Sequence, residues 1–244
     1  VLTGTDAYRF IHSHRQETEG SLTRADRIVG LHTLIGDAIP RRYRHKLRVI
    51  YQSARPLAGR QTPKRFFRVC MAGHLREEKD PLRPALAARN LPLHSRIRID
   101  AYGKAHTPQW AALAAAEAVH NPRYHWHGEI GHAQLRQVYR RSHLLVLSSR
   151  MEGGANVVSE AVMAGLPVVA SAIPGSIGLL GSDYPGYYPV EETQALRELL
   201  LHAESDAAFY ARLQEACEHR RYLFSEQAER RGWSDLLAEL TTGK

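Results

Sequence analysis

The chain has 244 residues, 43% hydrophobic and 24% charged, with a formal net charge of +8. That balance is ordinary for a globular protein able to bury a sizeable core, and no apolar run approaches the length of a membrane span. The positive balance admits a nucleic-acid partner, but the basic residues, among them Arg24, Arg41, Arg42, Arg140, Arg141 and Arg220, are scattered through nearly every element without interleaved aromatics or a DNA-reading helix. The pattern points instead to an anionic small molecule in a positive cleft, with no nucleic acid and no stable membrane association.

In chain order, residues 1–53 alternate apolar and helical runs: a strand "VLTGT", a polar helix through "ETEGSLTRA", a strand "RIVGLH", a helix near "LIGDAIPRRYRHK" and a strand "LRVIYQSA". The chain opens at Val1 on an apolar run with no signal region, so it reads as one whose beginning is missing. The segment "RPLAGRQTPKR", rich in Pro, Gly and Arg, reads as a linker over residues 54–65.

From residue 66 strand and helix alternate regularly: strand "FFRVCMAG", loop "HLREEKDP", helix "PLRPALAARN", strand "SRIRIDAYG" and helix "PQWAALAAAEAVH". Strand "YHWHGEI", helix "AQLRQVYRRS", strand "LLVLSS", a glycine-containing loop and short helix, and strand "PVVASAI" follow. A Gly-rich loop "PGSIGLLGSDYPG" and a long helical tail from Glu192 close the chain. Strands separated by helices at this spacing make a parallel α/β sheet covered on both faces. Cys70 and Cys217 lack metal-ligand spacing and read as packed free thiols of a reducing compartment, hence a cytoplasmic location.

The most informative stretch is "SSRMEGGANVVSEAVMAGLPVVAS". Gly153 and Gly154 permit close backbone approach, and the amides of Ala155, Asn156 and Val157 are the unsatisfied donors of a helix N-terminus, a place for phosphate. Glu160, a turn further on, can accept hydrogen bonds from a ribose diol, and Glu152 stands on the other side of the phosphates. His125, His127 and His132 in "YHWHGEIGH" have no completing Cys or carboxylate cluster, so no metal is expected.

The pair Glu152 and Glu160, with the "AVMAGLPVVAS" tail, resembles the signature of family 4 glycosyltransferases of the GT-B type, two Rossmann-like domains facing across a cleft. The resemblance implies an N-terminal acceptor-side domain, incomplete here, over residues 1–53. It implies a nucleotide-sugar-binding domain over 66–224 and a C-terminal helix, 225–244, returning to brace the first domain. It gives Glu160 to the ribose, the loop amides to the diphosphate and Glu152 to the transferred sugar. In "AGHLREEKDP" the family usually has Gly-Arg-Leu and then a lysine. Gly73 and Lys79 match, His74 stands where the arginine is expected, and Arg76 is displaced by two, as a substitute cation for the leaving diphosphate. Gly128, Glu129 and Ile130 correspond to the segment whose backbone meets the nucleobase, and Gly175, Ser176 and Ile177 to a Gly-rich loop beside the sugar.

Taken with "LTGTDAYR" and "SAIPGSIGLLGSDYPGYYPV", the run "GHLREEKDP" resembles a narrower branch, the selenosugar synthases of selenoneine biosynthesis. That implies transfer of a sugar from a UDP-sugar to selenophosphate, with UDP-sugar as co-substrate and no cofactor. Thr3, Thr5 and Asp6 are then expected on the acceptor side, though Thr5 or Asp6 equally suits helix capping. An ordinary O-glycosyl transferase, an epimerase and a non-catalytic nucleotide-sugar-binding module are the alternatives. If the front of the first domain is absent, donor binding with poor turnover is expected.

Overall fold

The computed structural model describes residues 1–242. It contains two parallel sheets, as the alternation of strands and helices requires: a two-stranded one near the N-terminus and a six-stranded one carrying most of the core. The first element is a helix and not a strand. Thr3 and Asp6 form a reciprocal cap, Thr3 N and Oγ1 donating to Asp6 Oδ2 at 2.9 and 2.7 Å. The chain then winds through a π-helical segment, Asp6–Phe10, into α1 (Ile11–Ser13). This hydroxyl-to-carboxylate cap overrides the apolar character of "VLTGT", which keeps only one sheet-like bond, Leu2 N to Val29 O at 2.8 Å.

The polar helix α2 (Arg15–Arg24) leads to β1 (Ile28–Gly30). The helix expected near "LIGDAIPRRYRHK" is split into 3₁₀ segments, Thr33–Ala38 and Arg41–Lys46, because Pro40 interrupts it. β2 (Leu47–Val49) pairs parallel with β1. Residues 54–65 contain no helix or strand.

The larger sheet has the order β5-β4-β3-β6-β7-β8, every pair parallel. In chain order it runs β3 (Phe67–Ala72), α3 (Arg83–Ala88), β4 (Ile97–Tyr102), α4 (Pro108–His120), β5 (Tyr124–Trp126) and α5 (His132–Arg141). It continues with β6 (Leu144–Leu147), α6 (Asn156–Met163) and β7 (Val168–Ser171). The strand order reverses between β3 and β6, and the crevice outside the carboxyl ends of strands at such a switch point is where open α/β sheets bind ligands. β6 and β7 are buried along their whole length, which accounts for their unbroken apolar sequences.

The Gly-rich segment is not a loop: Pro174–Leu180 is helix α7, with proline at its start. The aromatic run after it packs as β8 (Tyr187–Tyr188), with Tyr184 and Tyr188 buried. The helical tail is broken in three, α8 (Thr193–Ser205), α9 (Ala207–Arg220) and α10 (Glu226–Thr242). Asp206 caps α9 by accepting from the amides of Ala208 and Phe209. α10 lies against the small sheet, where Leu236, Trp233 and Leu240 pack on Val29 and Ile50. Glu239 accepts from both Arg27 and Arg48 there, and these guanidinium hydrogen bonds lower its carboxyl to about 2. Cys70 and Cys217 are free and buried. No described helix is long and apolar enough to cross a membrane.

Candidate active site

Strands β3 and β6 deliver the two halves of one cleft. After β3, "GHLREEKD" turns through the 3₁₀ segment Glu77–Lys79 into a left-handed Asp80 (φ 42°). That conformation is uncommon outside glycine, and it is fixed here by Arg83 Nε, 2.7 Å from Asp80 Oδ2, and by Ser148 Oγ, which donates to the carbonyls of Lys79 and Asp80. The neighbouring Ser149 donates to Glu152 Oε1 at 2.6 Å. Two adjacent serines at the end of β6 therefore hold the lysine loop and the glutamate loop together. Lys79 Nζ makes a direct ion pair with Glu152, whose side chain is almost wholly buried.

From Glu152 the chain passes through two glycines into α6. A Cβ on Gly153 would collide with the backbone of Thr3 and Gly4, and one on Gly154 with the Leu31 side chain. The amides of Asn156 and Val157 precede the first bond of the helix, Val158 N to Ala155 O at 2.8 Å, so they face the cleft without helical acceptors. Glu160 lies on the same helix face as Asn156. Its Oε2 accepts from the fully buried Tyr139 hydroxyl at 2.8 Å, and its Oε1 meets His132 Nε2 and Asn156 Nδ2, each at 3.1 Å. Burial first, and the Glu160 charge second, push the Tyr139 phenol far above its ordinary value, so it remains a donor.

Lys79, Glu152 and the residues at the start of α6 line a cleft of about 360 Å³, and Glu160, tied to Tyr139, His132 and Asn156, stands behind that lining and is not part of it. The cleft's lining includes Gly73, His74, Arg76 and Lys79 from the β3 loop, Glu129 and Ile130 after β5, and Glu152 with Gly154, Ala155, Asn156 and Val157. At the floor the backbones of Gly73 and Gly103 touch: Gly103 has φ 145°, and a Cβ there would strike the Gly73 carbonyl. Gly128 is not part of the lining, because its carbonyl is turned away to accept from Gly103 N at 2.8 Å. His74 lies against His106, ring centroids 5.2 Å apart, and not on the glutamates.

Arg76 occupies the junction. It lines this cleft and also a smaller hollow of about 280 Å³, which Thr3, Gly4, Thr5, Gln52 and Gly153 complete. Its Nε is buried without a hydrogen-bond partner, its nearest carboxylate, on Glu78, being 3.9 Å away. Asp6, expected beside Thr3 and Thr5, does not line the hollow, because its carboxylate is committed to the Thr3 cap. A third cavity, about 530 Å³, opens on the other side of Glu152 between Tyr8, Arg9, Arg150, Pro174 and Gly175. Arg9 there pairs with Glu78, and Arg150 with Glu77 and Glu191. Gly175 packs on the Glu152 carbonyl, where no Cβ fits. Ile177, expected to offer its amide, spends it on Ile173 O at 3.0 Å inside α7, and Ser176 is buried.

Sequence reasoning missed Ser148, Ser149, Tyr139 and the contact of His132 with Glu160. One signal was present: His132 and Tyr139 are seven residues apart, two turns along one face of α5. Among the described residues, no three His, Cys, Asp or Glu side chains gather as a metal-binding group.

A β-strand-end crevice at a switch point, with a helix N-terminus between two carboxylates and a lysine paired with one of them, is an arrangement in which α/β sheets hold anionic ligands. The family model for group 1 glycosyl transferases matches residues 58–220, and the chain belongs to that family. No curated protein sequence matches it. Among solved structures, Anabaena HepE in complex with UDP and glucose is similar with a TM-score of 0.79 at 16% identity, over 92% of this chain and 66% of that one. The sucrose-phosphate synthase of Thermosynechococcus elongatus gives 0.81 at 20%, over 98% and 65%. TarM of S. aureus gives 0.73 at 15%, over 96% and 49%. The fold is thus of the GT-B type, and the chain spans less than two thirds of the length of each of these three.

Proposed function

We propose that this protein transfers a sugar from a UDP-sugar to selenophosphate, forming a carbon–selenium bond at the anomeric carbon. The observation that carries the reading is the cleft at the start of α6, lined by the Lys79–Glu152 pair and by residues whose amides lack helical acceptors, with the tethered Glu160 one turn further along the same helix. In this arrangement Glu160 takes the ribose, the amides of Ala155, Asn156 and Val157 take the diphosphate, and Glu152 meets the sugar. Lys79 and Arg76 then stabilise the charge that gathers on the departing UDP. HepE, crystallised with UDP and glucose, supplies the precedent for the donor. The donor side is assigned to residues 66–224. The acceptor side is assigned to residues 1–53, braced by the helix within 225–244.

The acceptor is argued from chemistry and from the likeness of "GHLREEKDP" to the selenosugar synthases. Selenophosphate is already an anionic nucleophile, so no strong general base is needed: selenium donates its electron pair to the anomeric carbon as the bond to UDP oxygen breaks. The site does need cations to bring two anions together, and Arg76, Arg9 and Arg150 border the hollows next to Glu152. The test is UDP release from UDP-glucose and UDP-N-acetylglucosamine with and without selenophosphate. Selenophosphate-dependent release is expected. Release supported only by alcohol acceptors would replace selenophosphate with an O-glycosyl acceptor, and consumption of donor without any acceptor would indicate an epimerase.

A further inference from the structure

One polar cluster beside the cleft has no part in the chemistry above. On β4, Asp100 is 1% exposed and lies level with Cys70 on β3 and His125 on β5. Arg68 Nε and Arg98 Nε approach its carboxylate at 3.1 and 3.7 Å, and His127 Nε2 hydrogen-bonds its Oδ1 at 2.8 Å. The two arginines already neutralise the carboxylate, so the histidine is not needed for charge balance. Its ring has a second contact: it stacks on Tyr102, centroids 4.7 Å apart and planes 13° from parallel.

Tyr102 lines the donor cleft at its apolar end, with Ile130 and Leu135. The backbone around His127 is pinned to the same strand end. His127 N donates to Ala101 O at 2.9 Å, Gly103 N donates to Gly128 O at 2.8 Å, and Trp126 Nε1 donates to Gly103 O at 3.0 Å. Glu129 and Ile130, the next cleft residues, follow directly. A buried carboxylate thus fixes an imidazole, the imidazole fixes a phenol ring, and the ring forms one wall of the cleft.

We propose that Asp100 and His127 are positioning residues for the nucleobase, holding Tyr102 and the Glu129–Ile130 segment as a preformed wall against which the donor's base packs. The inference rests on the nucleotide-sugar reading above. Its physical basis is preorganisation: a ring already held in place loses little freedom when a base packs on it, whereas a free ring must be ordered at the cost of affinity. Removing the hold should weaken base binding roughly 3- to 10-fold, the cost of immobilising one such side chain. Binding of a ligand without a base should not change.

Calorimetric titration of UDP and of inorganic pyrophosphate into wild type, His127→Ala, His127→Phe and Glu160→Ala reads this directly. His127→Ala should lose affinity for UDP and keep it for pyrophosphate, and His127→Phe, which can still stack on Tyr102, should recover part of the loss. Asp100→Asn should behave as His127→Ala if it folds, and the half-exposed His127 gives the result independently of that variant. Unchanged UDP affinity in His127→Ala, or equal losses for UDP and pyrophosphate, would overturn the proposal, and a loss confined to Glu160→Ala would leave the donor reading standing. Wild type that binds pyrophosphate but not UDP would remove the donor reading and this inference together.

Discussion

Replacing Glu160 by glutamine tests the ribose assignment against a defined geometry. A carboxylate offers about four acceptor positions. One on Oε2 is taken by Tyr139, and Oε1 is shared by His132 and Asn156. Tyr139 is fully buried and its bond persists in the complex, while the more exposed His132 and Asn156 contacts can yield to incoming hydroxyls. A ribose diol therefore finds the free position on Oε2 and an exchangeable one on Oε1. Hydrogen bonds to a charged group contribute about 1.5–3 kcal/mol each, but one of the two replaces an existing contact. The net loss in Glu160→Gln should be about 2–3 kcal/mol, roughly 30- to 160-fold in the Kd for UDP. Titration with UDP and with 2′-deoxy-UDP completes a cycle. Wild type should prefer UDP strongly, and the variant should show a smaller preference, because the amide keeps one acceptor oxygen but neither the charge nor the second. Equal preference for UDP in both proteins would refute the placement of the ribose on Glu160.

Lys79→Ala should abolish UDP-sugar turnover. It should also destabilise the fold, by somewhat less than the roughly 3–5 kcal/mol for a wholly buried pair, since Glu152 is left with Ser149 as its remaining donor. The double variant Lys79→Met, Glu152→Gln should regain thermal stability without regaining activity, and a double variant no more stable than Lys79→Ala would contradict the pairing. Gly153→Ala should lower stability by about 1–3 kcal/mol, read as a fall in Tm, because its Cβ meets backbone of Thr3 and Gly4 that cannot move aside as a side chain can. An unchanged Tm would show that the two loops do not touch. For Glu239, a folded pKa lowered to about 2 means that its contribution is complete above the ordinary carboxylate value of 4.5 and is lost as pH falls from there toward 2. Acid titration followed by circular dichroism should therefore show a shallower dependence in Glu239→Gln over that window, and coincident curves would place α10 away from Arg27 and Arg48.

The parallel larger sheet was legible in the sequence because fully buried strands such as "LLVL" and "VVAS" can be little else, and a helix of 6 to 13 residues separates each strand from the next. Helix starts and breaks were less legible. "VLTGT" looks like a strand until Thr3 and Asp6 cap each other, and "PGSIGLL" looks like a loop because four residues of low helix propensity hide a turn that packing against His32 and the Glu152 loop enforces. Of the candidate site, the glutamates, glycines and lysine were visible through their spacing, since a helix N-terminus preceded by glycines has local causes. Ser148, Ser149 and Tyr139 were not, because their partners lie 69, 3 and 21 residues away, and only the short one leaves a local trace.

The sequence by itself determined the α/β class, the succession of strands and helices along the larger sheet's half of the chain and the helix start after Gly154, because each depends on residues within a turn or a strand of one another. Only the tertiary structure decided that Lys79 pairs with Glu152, that Arg76 faces two hollows at once, that Asp6 turns away from the cleft and that Gly4 rests on Gly153. Those outcomes depend on how loops from different strand ends meet. The meeting is set by sheet register and by backbone contacts with no room for a Cβ, information that no short stretch of residues contains.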